Sequence, residues 1–141
     1  MAAFTRMGYL SGDDTKLKSY REVVLAAVTQ NGRALYYASK ELQNDREIVL
    51  NAINSLESYD YSPLQYASEQ LRNDREVVLA AVTINGEALQ YASEELKRDR
   101  EVVLTAVTDN GRALRYASKE LQNDREIHLQ SLLYSRRPIC K

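Results

Sequence analysis

The side chains of this chain that could do chemistry are few and scattered. His128 is the sole histidine among 141 residues and Cys140 the sole cysteine. A zinc site needs several nitrogen, sulfur or oxygen ligands converging on one point, and His128 has no second histidine or core cysteine to converge with. A general base needs a nucleophile to activate, and nothing in the sequence marks one. Cys140 stands in a short basic tail with Arg136, Arg137 and Lys141. Neighbouring charge alone does not make a reactive thiolate, so it reads as an incidental thiol. Carboxylates, by contrast, are plentiful, and they recur as the triplets Asp45-Arg46-Glu47, Asp74-Arg75-Glu76, Asp99-Arg100-Glu101 and Asp124-Arg125-Glu126. Acid–base catalysis by paired carboxylates needs two unlike environments at one place. A triplet copied four times supplies one environment four times, which suits helix capping and an inter-repeat ladder of charges better. Tyr37, Tyr66, Tyr91 and Tyr116 also recur once per copy. They could line a ligand site, but next to an inward alanine they are expected to wedge into the core.

The elements that carry these residues emerge from the repetition itself. Ala-Leu-Tyr-Tyr-Ala-Ser-Lys-Glu-Leu (34–42) returns, with small changes, at 63–71, 88–96 and 113–121, and each copy leads into one of the triplets. A partial fifth copy, Arg-Glu-Val-Val-Leu, starts at Arg21. The arginines stand at 21, 46, 75, 100 and 125, so the period is 25 residues, with a four-residue insertion between Asn54 and Ser62.

Each copy reads as two helices. The triplet aspartate is placed to accept hydrogen bonds from the orphan amides of a helix N-terminus, and the adjacent glutamate suits the positive end of the helix dipole. In the third copy Val77, Val78, Ala81 and Val82 fall on one side, with Leu79 at its edge and Glu76, Ala80 and Thr83 outward. So wide an apolar arc exceeds that of an ordinary surface helix and suits one wedged between neighbours. Asn-Gly at 31–32, 85–86 and 110–111 is expected to stop that helix, the glycine taking a left-handed conformation. The second helix is shorter and buries Ala88, Leu89, Ala92 and Leu96, with Glu87, Gln90 and Glu94 as its polar stripe. Ser39, Ser68, Ser93 and Ser118 interrupt it and are placed to cap a last turn of 3₁₀ or irregular type. In the first copy, with Tyr20 in place of the aspartate, Ser19 is the expected cap. A unit this thin cannot close its own core. The fold class is therefore all-α: a short α-solenoid of about four 25-residue two-helix repeats held by nearest-neighbour contacts. His128 takes the place of Val24, Val49, Val78 and Val103, as expected of a final copy that no further unit covers.

The phrase Ala-Leu-Gln-Tyr-Ala-Ser-Glu-Glu-Leu-Lys-Arg-Asp-Arg-Glu-Val-Val-Leu (88–104) resembles the repeat known as domain of unknown function 4116. The resemblance spans roughly residues 20–133 and rests on the order Asn-Gly-x-Ala-Leu-x-Tyr-Ala-Ser-x-Glu-Leu. It implies tandem helical repeats, and it supplies neither a catalytic residue nor a ligand. The second copy departs from the pattern, with Asn-Ser-Leu-Glu-Ser-Tyr-Asp-Tyr-Ser (54–62) in place of the Asn-Gly turn. That departure calls regular stacking between the second and third copies into question.

Composition narrows the function. The 19 basic and 20 acidic side chains give a formal charge of −1, unlike the clustered positive charge on which nucleic-acid affinity rests. Residues 19–133 alone carry −5. No apolar run approaches the ~18 residues of a membrane span, and residues 1–11 make a poor secretory signal. The expected organisation is a mobile segment over 1–15, a repeat domain over 16–135 with an insertion near 55–61, and a basic tail over 136–141. The expected role is non-catalytic: a protein-binding or assembly module, or alternatively a structural or accessory subunit of a larger complex, and less readily a small-molecule binder or enzyme. No cofactor, nucleic acid or small-molecule substrate is expected, and the expected place is inside the cell, in the cytoplasm or within a large assembly. Binding surfaces of repeat proteins lie where the scaffold varies from unit to unit. One such row is small and nearly uncharged: Ala26, Asn51, Ala80 and Thr105, with Thr29, Asn54, Thr83 and Thr108. A second is larger: Tyr36, Gln65, Gln90 and Arg115, with Lys40, Glu69, Glu94 and Lys119, and it reads as solvated surface. Tyr59 and Tyr61 in the insertion are candidate interface anchors. The protein-binding residues expected from this reading are Ala26, Asn51, Ala80, Thr105, Thr83, Thr108, Tyr59 and Tyr61.

Overall fold

The structure, a computed structural model, describes residues 14–55 and 62–134. Tyr59, Tyr61, most of the N-terminal segment and the basic tail lie outside the described residues. Among the described residues there is helix and no strand. The long helices are α1 (Asp14–Gln30), α3 (Arg46–Ile53), α5 (Arg75–Ile84), α6 (Arg100–Asp109) and α8 (Arg125–Tyr134). Between them run one-turn helices α2 (Lys40–Gln43), α4 (Glu69–Arg72) and α7 (Lys119–Gln122), and 3₁₀ segments at Gly32–Tyr37, Pro63–Tyr66, Gly86–Tyr91, Leu96–Arg98 and Gly111–Tyr116.

The aspartates start the long helices as their chemistry requires. Asp45 accepts from the amides of Glu47 and Ile48, Asp74 from Glu76 and Val77, and Asp99 from Glu101 and Val102. Ser19 is not a cap, because α1 already begins at Asp14.

The second arm of each repeat is divided differently from the sequence expectation. The stretch before the serine is 3₁₀, opened in three of the four repeats by an asparagine whose side chain accepts from the amide two residues on, as Asn85 does from Glu87. Ala92 then turns extended (φ −71°, ψ 160°), and its equivalents do the same. The serines cap the next turn. Ser39, Ser68 and Ser118 accept from the amides of Leu42, Leu71 and Leu121, and the turn they cap is α-helical. Only the third repeat, behind Ser93, closes with a 3₁₀ turn at Leu96–Arg98.

The Asn-Gly glycines also work differently from the expectation. Neither Gly32 nor Gly86 has a left-handed backbone. A Cβ on Gly32 would stand 2.6 Å from the Ala52 carbonyl oxygen, and one on Gly86 would stand 2.3 Å from that of Ala106. Each glycine is where one repeat's backbone meets the next repeat's long helix. The two amides use that closeness, Gly32 donating to Ser55 Oγ at 3.1 Å and Gly86 to Asp109 Oδ2 at 2.8 Å.

The apolar arc is buried as expected. Val77, Val78, Ala81 and Val82, with Val102, Val103, Ala106 and Val107, are all 0–1% exposed, as are Ala88 and Leu89. Each valine so buried contributes about 1.5–3 kcal/mol. Leu79 and Leu104 are half-buried at the rim of the core. The insertion does not break the stack. Ser62 caps the shortened 3₁₀ turn with Pro63 at its first position, both are buried, and Pro63 Cγ lies against Gly32. One backbone bond joins the serine of each repeat to its predecessor: Ser68 donates to Gln43, Ser93 to Arg72 and Ser118 to Lys97, each at 3.0 Å. The register runs through the second and third copies without interruption.

Candidate functional site

The repeated polar residues spend their bonding capacity on holding the stack. Arg21 donates to Asp45 (2.6 Å) and to Glu47 (2.7 Å) of the next repeat. Arg46 does the same to Asp74 and Glu76, Arg75 to Asp99 and Glu101, and Arg100 to Asp124 and Glu126. Hydrogen bonds from Arg21 and Arg75 hold the Asp45 and Asp99 carboxyls below the usual aspartate range. Burial opposes this at Asp74, yet the Arg46 bond and the Val77 amide leave it lowered as well. For Asp124 the Ile127 amide does most and Arg100 adds to it. Each of these carboxylates is held both by an arginine of the preceding repeat and by the first amides of its own helix. The serine caps are also linked, Ser68 Oγ donating to Asn44 Oδ1 and Ser93 Oγ to Asn73 Oδ1 at 2.6 Å. Among the described residues no three His, Cys, Asp or Glu side chains are grouped to hold a metal ion. His128 is exposed at the end of the stack.

What varies between repeats lies on two faces. On the long helices Ala26, Thr83 and Thr108 are exposed, while Asn51, Ala80 and Thr105 are half-buried. The hydroxyls of Thr29, Thr83 and Thr108 donate back to the carbonyls of Leu25, Leu79 and Leu104, and Asn51 donates to that of Glu47. The face is smooth, and many of its donor hydrogens are turned onto its own backbone. An open hollow lined by Arg46, Glu47, Leu50, Asn51 and Asn54 lies beside it.

The other face, on the 3₁₀ segments, carries the tyrosines. Tyr66, Tyr91 and Tyr116 are half-buried against the core as expected, and Tyr37 is not: it is 70% exposed, with Tyr36 at 59%. The Tyr36 ring meets Tyr37 edge-on at 5.0 Å between centroids and Tyr66 at 5.2 Å. Burial, with the neighbouring Tyr116 and Tyr66, pushes the Tyr91 hydroxyl up from its ordinary pKa. At its far end the Arg115 guanidinium lies 5.0 Å over the Tyr116 ring and donates to its hydroxyl at 2.9 Å. A second open hollow, lined by Glu69, Arg72, Tyr91 and Glu94 among others, adjoins this row. Sequence alone marks the row through Tyr36 as solvated surface. The signal it contains to the contrary is Tyr36-Tyr37 itself, two adjacent aromatics on a segment whose inward places are already filled by Ala34 and Leu35. A second signal lies where the long helices end. Ser55 and Asp109 occupy the same place in their repeats, each behind a repeat with Asn-Gly, while the third repeat, which comes after the copy without it, has Ile84 there.

No helix among the described residues is long and apolar enough to cross a membrane. The family model Domain of unknown function (DUF4116) matches the chain three times in tandem, over residues 20–63, 56–97 and 99–138. No curated protein and no solved structure matches it.

Proposed function

The chain belongs to the DUF4116 repeat family, and from that premise we propose that it is a non-catalytic module binding a partner protein through the aromatic face of its 3₁₀ segments. The observation that carries this reading is the exposed, mutually packed pair Tyr36 and Tyr37, extended by Tyr66. Rigid tyrosines offer large contact area at little entropic cost and are over-represented among residues that dominate interface energies. The repeated polar residues support the same reading, because their hydrogen bonds join repeat to repeat and leave the non-recurring residues to meet a partner. The row of Ala26, Asn51, Ala80, Thr105, Thr83 and Thr108 is the competing surface, and Tyr59 and Tyr61 are candidate anchors outside the described residues. The net negative charge of the repeats does not favour a nucleic acid as the partner.

The test is capture from native extract with three full-length baits: wild type, Tyr36→Ala/Tyr37→Ala and Ala80→Arg/Thr105→Arg. The first pair is expected to lower retention of a specific partner by about 30-fold, as loss of a strong interface anchor does, with an unchanged urea midpoint. Loss in the second pair alone would move the interface to the long-helix face. Turnover of a metabolite by the purified chain would overturn the reading.

A further inference from the structure

The two ends of the stack expose complementary halves of the interface that joins its repeats. Within the stack each long helix uses two pairs of apolar positions. In the first repeat Val24 and Val28 are buried (1% and 0% exposed), while Val23 and Ala27 are only half-buried. In the last the pattern inverts: Ile127 and Ser131 are buried, while His128 and Leu132, at the places of Val24 and Val28, are exposed. Positions 23 and 27 therefore face a preceding repeat, and positions 128 and 132 face a succeeding one. Leu129, 55% exposed, adds to the exposed apolar side chains at the trailing end. The charge ladder is cut at the same two planes. Arg125 occupies the place of Arg21, Arg46, Arg75 and Arg100, is exposed, and has no ion-pair partner among the described residues. Glu22 occupies the place of Glu47, Glu76, Glu101 and Glu126, and it too is exposed with no such partner.

We propose that a second copy of this chain stacks end to end on the first, its Val23–Ala27 face against the His128–Leu129–Leu132 face and its Glu22 on Arg125. The contact continues the internal interface, which repeats the same apolar pairing and the same arginine-to-glutamate bond four times, and it matches one unpaired cation to one unpaired anion. The contact is weaker than an internal one, because Tyr20 stands where the aspartate of each rung would be and His128 replaces a buried valine. Such a head-to-tail contact is heterologous, each copy using one end on the next, so association grows with concentration.

Sedimentation equilibrium on the full chain over a concentration series reads this directly. The weight-average mass is expected to rise above 16.1 kDa with concentration for wild type and for Tyr36→Ala/Tyr37→Ala. Arg125→Glu and Glu22→Arg should each weaken association by about fivefold or more, since an attraction of surface-pair size becomes a repulsion. The double variant Arg125→Glu/Glu22→Arg, and an equimolar mixture of the two singles, should recover it. Circular dichroism checks that each variant keeps its helix content, as expected for two exposed side chains. A constant mass of one chain up to about millimolar concentration would overturn the proposal. Association that ignores both charge reversals, or that disappears with Tyr36 and Tyr37, would overturn it in favour of another face.

Discussion

A methyl group added to Gly86 would stand 2.3 Å from the Ala106 carbonyl oxygen and 3.3 Å from the Asn110 nitrogen, both of them backbone atoms of the next repeat. No side-chain rotation relieves that contact, so Gly86→Ala must move one repeat against another. It is expected to destabilise the chain by roughly 1–3 kcal/mol, as overpacking does, read as a lower urea midpoint. Were the glycine there to end a helix through its own flexibility, the substitution would instead leave repeat spacing untouched. The sequence marks this position correctly and suggests the wrong reason for it. Asn-Gly signals a turn from either cause, and only the neighbouring helix reveals that the hydrogen in place of Cβ is what counts. Ser55 and Asp109 are hidden for the same reason: their partners lie 23 residues upstream, beyond the reach of local pattern.

The long helices show what periodicity alone does reveal. Their buried faces, their aspartate caps and their rim leucines can all be read from residue spacing, because a 3.6-residue period and an N-terminal acceptor are local demands. The 3₁₀ segments cannot. Six-residue runs such as Gly86–Tyr91 exceed the usual length of that helix, and the asparagine bond that opens each is equally compatible with an α-helix. Asp99 separates two contributions at one helix start. Asp99→Asn keeps an N-cap acceptor and removes the ion pair to Arg75, whose guanidinium is about half exposed, so its expected cost at neutral pH is below about 1 kcal/mol. Asp99→Ala removes the cap as well and should cost about 1–2 kcal/mol. The pH dependence has a fixed sign. The folded Asp99 pKa lies below the unfolded value of about 3.9, so its stabilisation is whole above that value and is lost as pH falls through the folded pKa. The urea midpoints of wild type and Asp99→Asn should therefore converge in strong acid.

At the scale of the whole molecule, the repeat count and the all-α class are plain in the sequence, while the surface a partner would use is not. Identical positions advertise the scaffold, and an exposed pair such as Tyr36 and Tyr37 occurs once and so leaves no periodic trace. The bonds between repeats are nearly as regular as the repeats: one arginine fork and one apolar pairing at each of four junctions, and one serine amide bond at three of them. No single layer locks the others. Pulled by its two termini in an optical trap, such a chain should surrender one layer after another from a free edge, in steps of about 80–90 Å for 25 extended residues. A single large rip spanning all the layers would mean that they fail together.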